Sequence, residues 1–262
     1  MHPFLALDPP HLFGHRGACG VAPENTLISF ERAWEAGVAY LETDCHATRD
    51  GEIVLLHDAT VDRTTDGEGP VSARTYAELT KLDAAYRFTP DRGVTFPFRG
   101  QGVRIPRLAD LITAFPDARI NLEIKQAEPD IAEQVLRVIR RAGADQRLLL
   151  AAEDDAVMAS IQSTSPQTAL GTSTGGVVAF FEALRSGHLS ELRPAGHALQ
   201  IPPTALGEDL VTSASVEAAH SLGLVVHVWT INEPAEMRRL LELGVDGLMS
   251  DFPTRLFQAA NR

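Results

Sequence analysis

Five short groupings in the 262-residue sequence carry side chains able to act on a substrate: His15-Arg16-Gly17, Glu42-Thr43-Asp44, His57-Asp58, Glu123-Ile124-Lys125 and Val228-Trp229-Thr230. Imidazole titrates near neutral pH, which makes His15 and His57 candidates for taking and giving a proton. Either histidine alone is more often a satisfied core or surface residue, whereas two of them beside carboxylates point to catalysis. In an extended chain residues i and i+2 project from one face, so Glu42 pairs with Asp44 and Glu123 with Lys125. Where Glu42, Asp44 and Glu123 converge they repel, and two arrangements relieve that. One is a hard divalent cation, Mg²⁺ or Ca²⁺, on oxygen ligands; the other is a buried ion-pair network with Arg16 and Lys125. Those two cations also suit phosphate oxygens, the guanidinium through its planar fork. Trp229 offers a flat ring for a pocket wall or for the core. His11, His197 and His220 lack such neighbours and read as structural or solvated.

These groups sit at the ends of short apolar runs that alternate with amphipathic segments, the pattern of parallel βα units. The runs are Leu12–Gly14, Ala39–Asp44, Arg119–Lys125, Leu148–Leu150, Thr168–Gly171, Ala198–Ile201, Leu224–Thr230 and Gly247–Ser250. Helical spacing marks 26–36, 130–141, 155–162, 177–186, 215–222, 234–243 and 252–260. Asp50-Gly51 predicts a tight turn leading into Ile53–Leu56. About eight strands, most followed by a helix, match a (β/α)₈ TIM barrel of the usual length of about 250 residues. In such a barrel the strand ends form the mouth, so the groupings above would meet there. An open doubly wound sheet is the competing fold, but His15-Arg16-Gly17 stands where that fold carries GxGxxG. From about 58 to 106 the alternation fails: the segment is rich in Thr, Asp, Gly and Pro, with one helical piece around Tyr76–Leu82. Its aromatic residues predict an ordered insertion into a single domain spanning 1–262.

Composition narrows the partners. With 23 Lys plus Arg against 35 Asp plus Glu the formal net charge is -12, which disfavours nucleic acid and anionic membranes as general partners. An anionic substrate then requires locally gathered positive charge, the part open to Arg16, Lys125 and a metal ion. Two cysteines, Cys19 and Cys45, are too few for a disulfide framework, which predicts a cytoplasmic thiol protein. The N-terminal stretch lacks a basic n-region, and no run reaches the roughly 18 apolar residues of a membrane span, so no membrane anchor is expected.

Taken in order, His15-Arg16-Gly17, Glu24-Asn25-Thr26, Glu42-x-Asp44, His57-Asp58, Leu122-Glu123-Ile124-Lys125, Val228-Trp229-Thr230-Ile231-Asn232 and Asp246–Asp251 give a sequence that resembles the glycerophosphodiester phosphodiesterases over nearly its whole length. The resemblance implies a metal-dependent barrel enzyme that hydrolyses a glycerophosphodiester to sn-glycerol 3-phosphate and an alcohol. It implies one divalent ion, Mg²⁺ or Ca²⁺, on Glu42, Asp44 and Glu123, with His15 and His57 as the acid/base pair. Arg16 and Lys125 become phosphate contacts and Trp229 a pocket residue. The family's characteristic insertion falls where the alternation breaks. Two other readings stand beside this one: a lysophospholipase D, for which Phe88, Phe96 and Phe98 could line an apolar slot, and a non-catalytic barrel that binds phosphorylated ligands.

Overall fold

Parallel strands buried on both faces need nearly continuous apolar sequence, and the runs named above supply it. In the computed structural model, which describes residues 2–164 and 166–261, eight parallel strands form the barrel: β1 (His11–Gly14), β2 (Tyr40–Ala47), β4 (Arg119–Ile124), β5 (Leu148–Ala151), β6 (Ala169–Leu170), β7 (Ala198–Ile201), β10 (Val225–Val228) and β11 (Gly247–Ser250). Their order is β6-β5-β4-β2-β1-β11-β10-β7. The ring closes through the parallel bridge between Gly171 and Ala198 and the His197 N–H donating to the Leu170 carbonyl at 2.7 Å. The barrel fold read from the sequence is therefore present.

Two registers place the mouth. Gly14 pairs with Ser250 across β1 and β11, and Asp44 pairs with Glu123 across β2 and β4. Against the expectation that strand two stops at Asp44, β2 runs on to Ala47, because Cys45, His46 and Ala47 pair antiparallel with Leu55, Val54 and Ile53 of β3 (Ile53–Leu55). Glu42 and Asp44 consequently lie within a continuous strand, and His57 is brought in by the returning hairpin arm.

Helices α1 (Leu27–Glu35), α3 (Leu108–Ala114), α4 (Ala132–Arg141), α5 (Asp155–Ser163), α6 (Thr174–Ser186), α7 (Ser213–Ser221), α8 (Pro234–Glu242) and α9 (Pro253–Ala260) surround the strands. Helix α4 shows the logic: Ala132, Val135, Leu136 and Ile139 form its buried stripe at helical spacing, each larger side chain contributing roughly 1.5–3 kcal/mol by leaving water. Helix α1 packs so closely on β1 that a Cβ on Gly14 would meet the Ala33 methyl at 2.6 Å and the Gly17 carbonyl oxygen at 2.6 Å. Only a residue without a side chain permits that approach at the end of β1, just before His15. Inside the ring Phe13, Tyr40, Leu149, Ala169, Ala198 and Met249 pack together, and Phe4 and Leu5 join them, with the Tyr40 hydroxyl donating to the Phe4 carbonyl at 3.0 Å.

The segment from 58 to 106 is ordered around its own small core of Val61, Val71, Leu79, Ala84 and Ile105, which packs on Val54 and Leu56. It contains α2 (Tyr76–Leu79), opened by a capping box between Thr75 and Glu78. Of the insertion phenylalanines, Phe88 and Phe98 meet edge-on at 5.5 Å, and the Arg99 guanidinium lies 3.6 Å over Phe96. A hairpin of β8 (Thr204–Ala205) and β9 (Glu208–Asp209) follows β7. No helix among the described residues is long and apolar enough to cross a membrane.

Candidate active site at the barrel mouth

All eight side chains singled out from the sequence border one cavity of about 120 Å³ at the strand ends: His15, Arg16, Glu42, Asp44, His57, Glu123, Lys125 and Trp229, with Asn121, Glu153, Gln200, Thr230 and Met249. Glu42 and Asp44 are buried. One oxygen from each of Glu42, Asp44 and Glu123 falls within 4.8 Å of the others. Burial and the neighbouring Asp44 push the Glu42 carboxyl up to about 7, and burial raises Glu123 as well, against the pull of Lys125. Three carboxylates gathered in one largely buried pocket repel one another by themselves and make a good arrangement around a hard divalent cation.

The two relief mechanisms read from the sequence coexist. Lys125 Nζ donates to Glu123 Oε1 at 2.6 Å and lies 3.8 Å from Asp44 and 3.6 Å from Glu153. The Arg16 backbone N–H donates to Glu42 at 2.9 Å, while its guanidinium reaches Glu24 at 3.0 Å and Asp44 at 3.3 Å. The atom that faces Asp44 is the buried Nε, which makes an ion pair there without hydrogen-bond geometry.

Each histidine is held by a carboxylate through Nδ1, which leaves Nε2 free to exchange protons. His15 Nδ1 donates to Asp251 Oδ1 at 2.6 Å, and Asn232 fixes the other oxygen of Asp251 at 2.6 Å. Burial alone would lower His15, but the Asp251 hydrogen bond and the Glu42 charge carry it above its ordinary value. Asp251 is held at about 2: burial opposes ionisation, and the His15 and Cys19 hydrogen bonds outweigh it. On the hairpin side His57 Nδ1 donates to Asp58 Oδ1 at 2.7 Å. Arg63 Nε donates to Asp58 at 2.7 Å, and its two terminal nitrogens donate to Glu24 at 2.6 and 2.7 Å. Glu24 in turn accepts from Arg16, so one chain of charged groups ties the insertion to Asp44. Asn25 completes it, donating to Asp44 at 3.0 Å and accepting from Thr43 at 2.7 Å.

Of these supporting groups, Glu24, Asn25, Asn232 and Asp251 stand in motifs quoted above for the resemblance without a part of their own, and Arg63 was unmarked. Only Asp251 had a sequence signal, as a carboxylate just past the last strand. The histidines set aside as structural behave so: His11 and His227 meet in the barrel at 3.1 Å, His197 accepts from the Leu170 N–H, and His220 pairs with Asp246 at 2.7 Å.

A second cavity of about 530 Å³ opens beside the first, sharing Glu123, Glu153, Gln200 and Trp229 with it. Val177, Val178 and Phe181 of α6, Ile201 of β7, and Leu206 and Leu210 around the β8–β9 hairpin make it largely apolar. Trp229 follows β10 directly, half-buried, as the wall between the two.

The family model described as the glycerophosphoryl diester phosphodiesterase family matches residues 15–255. A glycerophosphodiester phosphodiesterase of Caldanaerobacter subterraneus subsp. tengcongensis is 30% identical, over 96% of this chain and 98% of that protein. A Mus musculus protein named lysophospholipase D is 26% identical, over 92% of this chain and 83% of its own length. Among solved structures, an Oleispira antarctica phosphodiesterase in complex with the product sn-glycerol-3-phosphate superimposes with a TM-score of 0.76 at 27% identity, covering 97% of each chain.

Proposed function

The chain belongs to the glycerophosphoryl diester phosphodiesterase family, enzymes of the phosphoric diester hydrolase class, and from that premise we propose that its barrel mouth cleaves a glycerophosphodiester to sn-glycerol 3-phosphate and an alcohol. The observation that carries this reading is the meeting of two carboxylate-held histidines, three carboxylates and two cations in one cavity. Glu42, Asp44 and Glu123 would hold one divalent ion, Mg²⁺ or Ca²⁺, since their donors are all oxygen. When bound, such an ion supplies positive charge to the non-bridging phosphate oxygens.

The remaining work falls to the chain's own side chains. Arg16 and Lys125 lie where a phosphodiester anion entering the cavity would share their charge, and stabilising charge that grows on its oxygens lowers the barrier. His57, oriented by Asp58, takes the proton of the nucleophile, whether water or the neighbouring glycerol hydroxyl. His15, whose contact with Asp251 favours the protonated imidazole, gives its Nε2 proton to the departing alkoxide. The P–O bond to the alcohol breaks as the new P–O bond forms, and one proton is taken up for one released; with water as nucleophile this gives sn-glycerol 3-phosphate directly, and with the glycerol hydroxyl it gives a cyclic phosphate that a water molecule then opens, the two histidines exchanging parts. Purified His15→Ala and His57→Ala variants should each lose turnover of glycerophosphocholine while keeping the wild-type circular dichroism; near-normal turnover in either removes that residue from the assigned part.

The apolar cavity behind Trp229 favours one extension, a diester that still bears an acyl chain. Its volume and lining suit a lysophospholipid tail. Relative turnover of lysophosphatidylcholine and glycerophosphocholine decides between the two substrates: a strong preference for the first makes the protein a lysophospholipase D.

A further inference from the structure

Next to the carboxylate cluster a second set of ligand atoms converges, and its chemistry differs. Asp251 Oδ1 accepts two hydrogen bonds, from His15 Nδ1 at 2.6 Å and from Cys19 Sγ at 2.8 Å, and Sγ and Nδ1 lie 3.9 Å apart. The three ligand atoms all fall within 4.8 Å of one another. Glu42, Asp44 and Glu123 offer oxygen alone, the preference of Mg²⁺ and Ca²⁺; a thiol, an imidazole and one carboxylate are the preference of Zn²⁺ and its softer neighbours. We propose that His15, Cys19 and Asp251 form a second metal site, specific for Zn²⁺-class cations, whose occupation switches the hydrolase off by capturing His15. The inhibitory part of this proposal rests on the reading of His15 as the proton donor.

The exchange balances. In the metal-free site two protons, on Nδ1 and on the thiol, bridge the three groups to one oxygen. A Zn²⁺ ion replaces both: the Nδ1 proton and the thiol proton leave to solvent, and the ligand set becomes neutral imidazole, thiolate and carboxylate. Starting from imidazolium, thiol and carboxylate, the net charge is zero before and after, so a half-buried site gains no uncompensated charge. Burial and the Asp251 charge keep the free thiol protonated, but a coordinating metal deprotonates a thiol outright. Tetrahedral zinc bonds of about 2.0–2.3 Å separate ligand atoms by about 3.3–3.6 Å. Sγ and Nδ1 are already close to that spacing, and the Asp251 oxygen has to draw back by less than about 1 Å. The thiol borders a separate cavity of about 90 Å³, lined also by Pro23, Glu24, Arg63, Arg87 and Phe88, which gives an approach that does not pass through the carboxylate cluster. Once Nδ1 is bound to metal, Nε2 keeps its hydrogen and His15 no longer cycles between its two protonation states.

The test uses Zn²⁺ and Co²⁺ as probes on the full chain. With Mg²⁺ or Ca²⁺ saturating, micromolar Zn²⁺ should inhibit turnover of glycerophosphocholine. Cys19→Ser, which keeps a donor for Asp251, should retain basal activity and need at least tenfold more Zn²⁺ for half-inhibition. Co²⁺ added to the wild type should show a thiolate-to-cobalt charge-transfer band in the near ultraviolet that Cys19→Ser lacks. Equal Zn²⁺ sensitivity of the two proteins, or no thiolate band in the wild type, overturns the proposal. The band is read without substrate, so its presence in a protein that turns over no diester would keep the metal site and discard the hydrolase reading.

Discussion

Replacing Asp251 by Asn isolates one charge in the proposed mechanism. The side chain keeps its shape, but the 2.6 Å contact to His15 changes from a charge-assisted hydrogen bond to a neutral one. Hydrogen bonds to charged groups contribute about 1.5–3 kcal/mol and neutral ones about 0.5–1.5 kcal/mol, a difference of about 1–2 kcal/mol. Asn232 already donates to the other oxygen of Asp251 at 2.6 Å, while His15 and Cys19 share the first, so an amide at 251 must also leave at least one of its three donor partners facing an N–H. Together these costs correspond to about a 10–100-fold loss in kcat, with KM nearly unchanged because Asp251 is not placed against substrate. The pH profile adds a sign. Asp251 holds His15 above its ordinary value, so without that charge the imidazole loses its proton at lower pH. If His15 is the donor, the alkaline limb of the kcat profile must move to lower pH. Steady-state kinetics across pH, with melting temperature as a control for folding, reads both effects. A kcat within twofold of wild type, or a reduced kcat whose alkaline limb stays in place, refutes the assignment of Asp251 as the group that sets His15.

Three further outcomes follow from the same geometry. Glu42 sits at about 7 against an ordinary 4.5, so in protein stripped of divalent ions the native state holds a proton that the unfolded chain releases between those values. Stability must then fall as pH rises through that window, by up to about 3 kcal/mol; Glu42→Gln should flatten the slope of melting temperature against pH, and an unchanged slope contradicts the repulsion argument. His227 is fully buried and lies well below 6.5, so its contribution to stability is complete above 6.5 and declines below it, by about 1.4 kcal/mol per pH unit for one proton. His227→Gln should reduce that acid sensitivity in urea melts, and an identical acid limb would exclude His227 as its source. Val177→Trp should fill the apolar cavity and lower lysophosphatidylcholine turnover at least tenfold while glycerophosphocholine turnover stays within twofold; parallel losses on both substrates would contradict an acyl-chain site there.

Local pattern carried much of the architecture. The barrel strands are buried on both faces, so their apolar runs stand out, and the charged pairs Glu42/Asp44 and Glu123/Lys125 at the mouth were legible through the two-residue period of a strand. Helix α3 was not recognised although Leu108, Leu111 and Ile112 show helical spacing, because the irregular segment before it masked where regularity resumed. The β8–β9 hairpin left no pattern, its four residues being exposed or half-buried, and with it the apolar cavity was missed; of the insertion phenylalanines, the visible aromatic cluster, Phe88 packs on Phe98 and Phe96 under Arg99. The contacts that orient the site were least legible. Asp251 reaches His15 across 236 positions and Arg63 reaches Glu24 across 39. Such pairings depend on barrel closure and on how the insertion folds back, which no local spacing encodes.

The central claim is that this mouth hydrolyses glycerophosphodiesters with a cation held by Glu42, Asp44 and Glu123. The direct measurement is release of sn-glycerol 3-phosphate from glycerophosphocholine by purified protein with Mg²⁺ or Ca²⁺, after EDTA treatment, and after the ion is restored. The account predicts product with the ion, loss of turnover on chelation and recovery on its return. Absence of product across a panel of glycerophosphodiesters, or turnover indifferent to chelation, would contradict it.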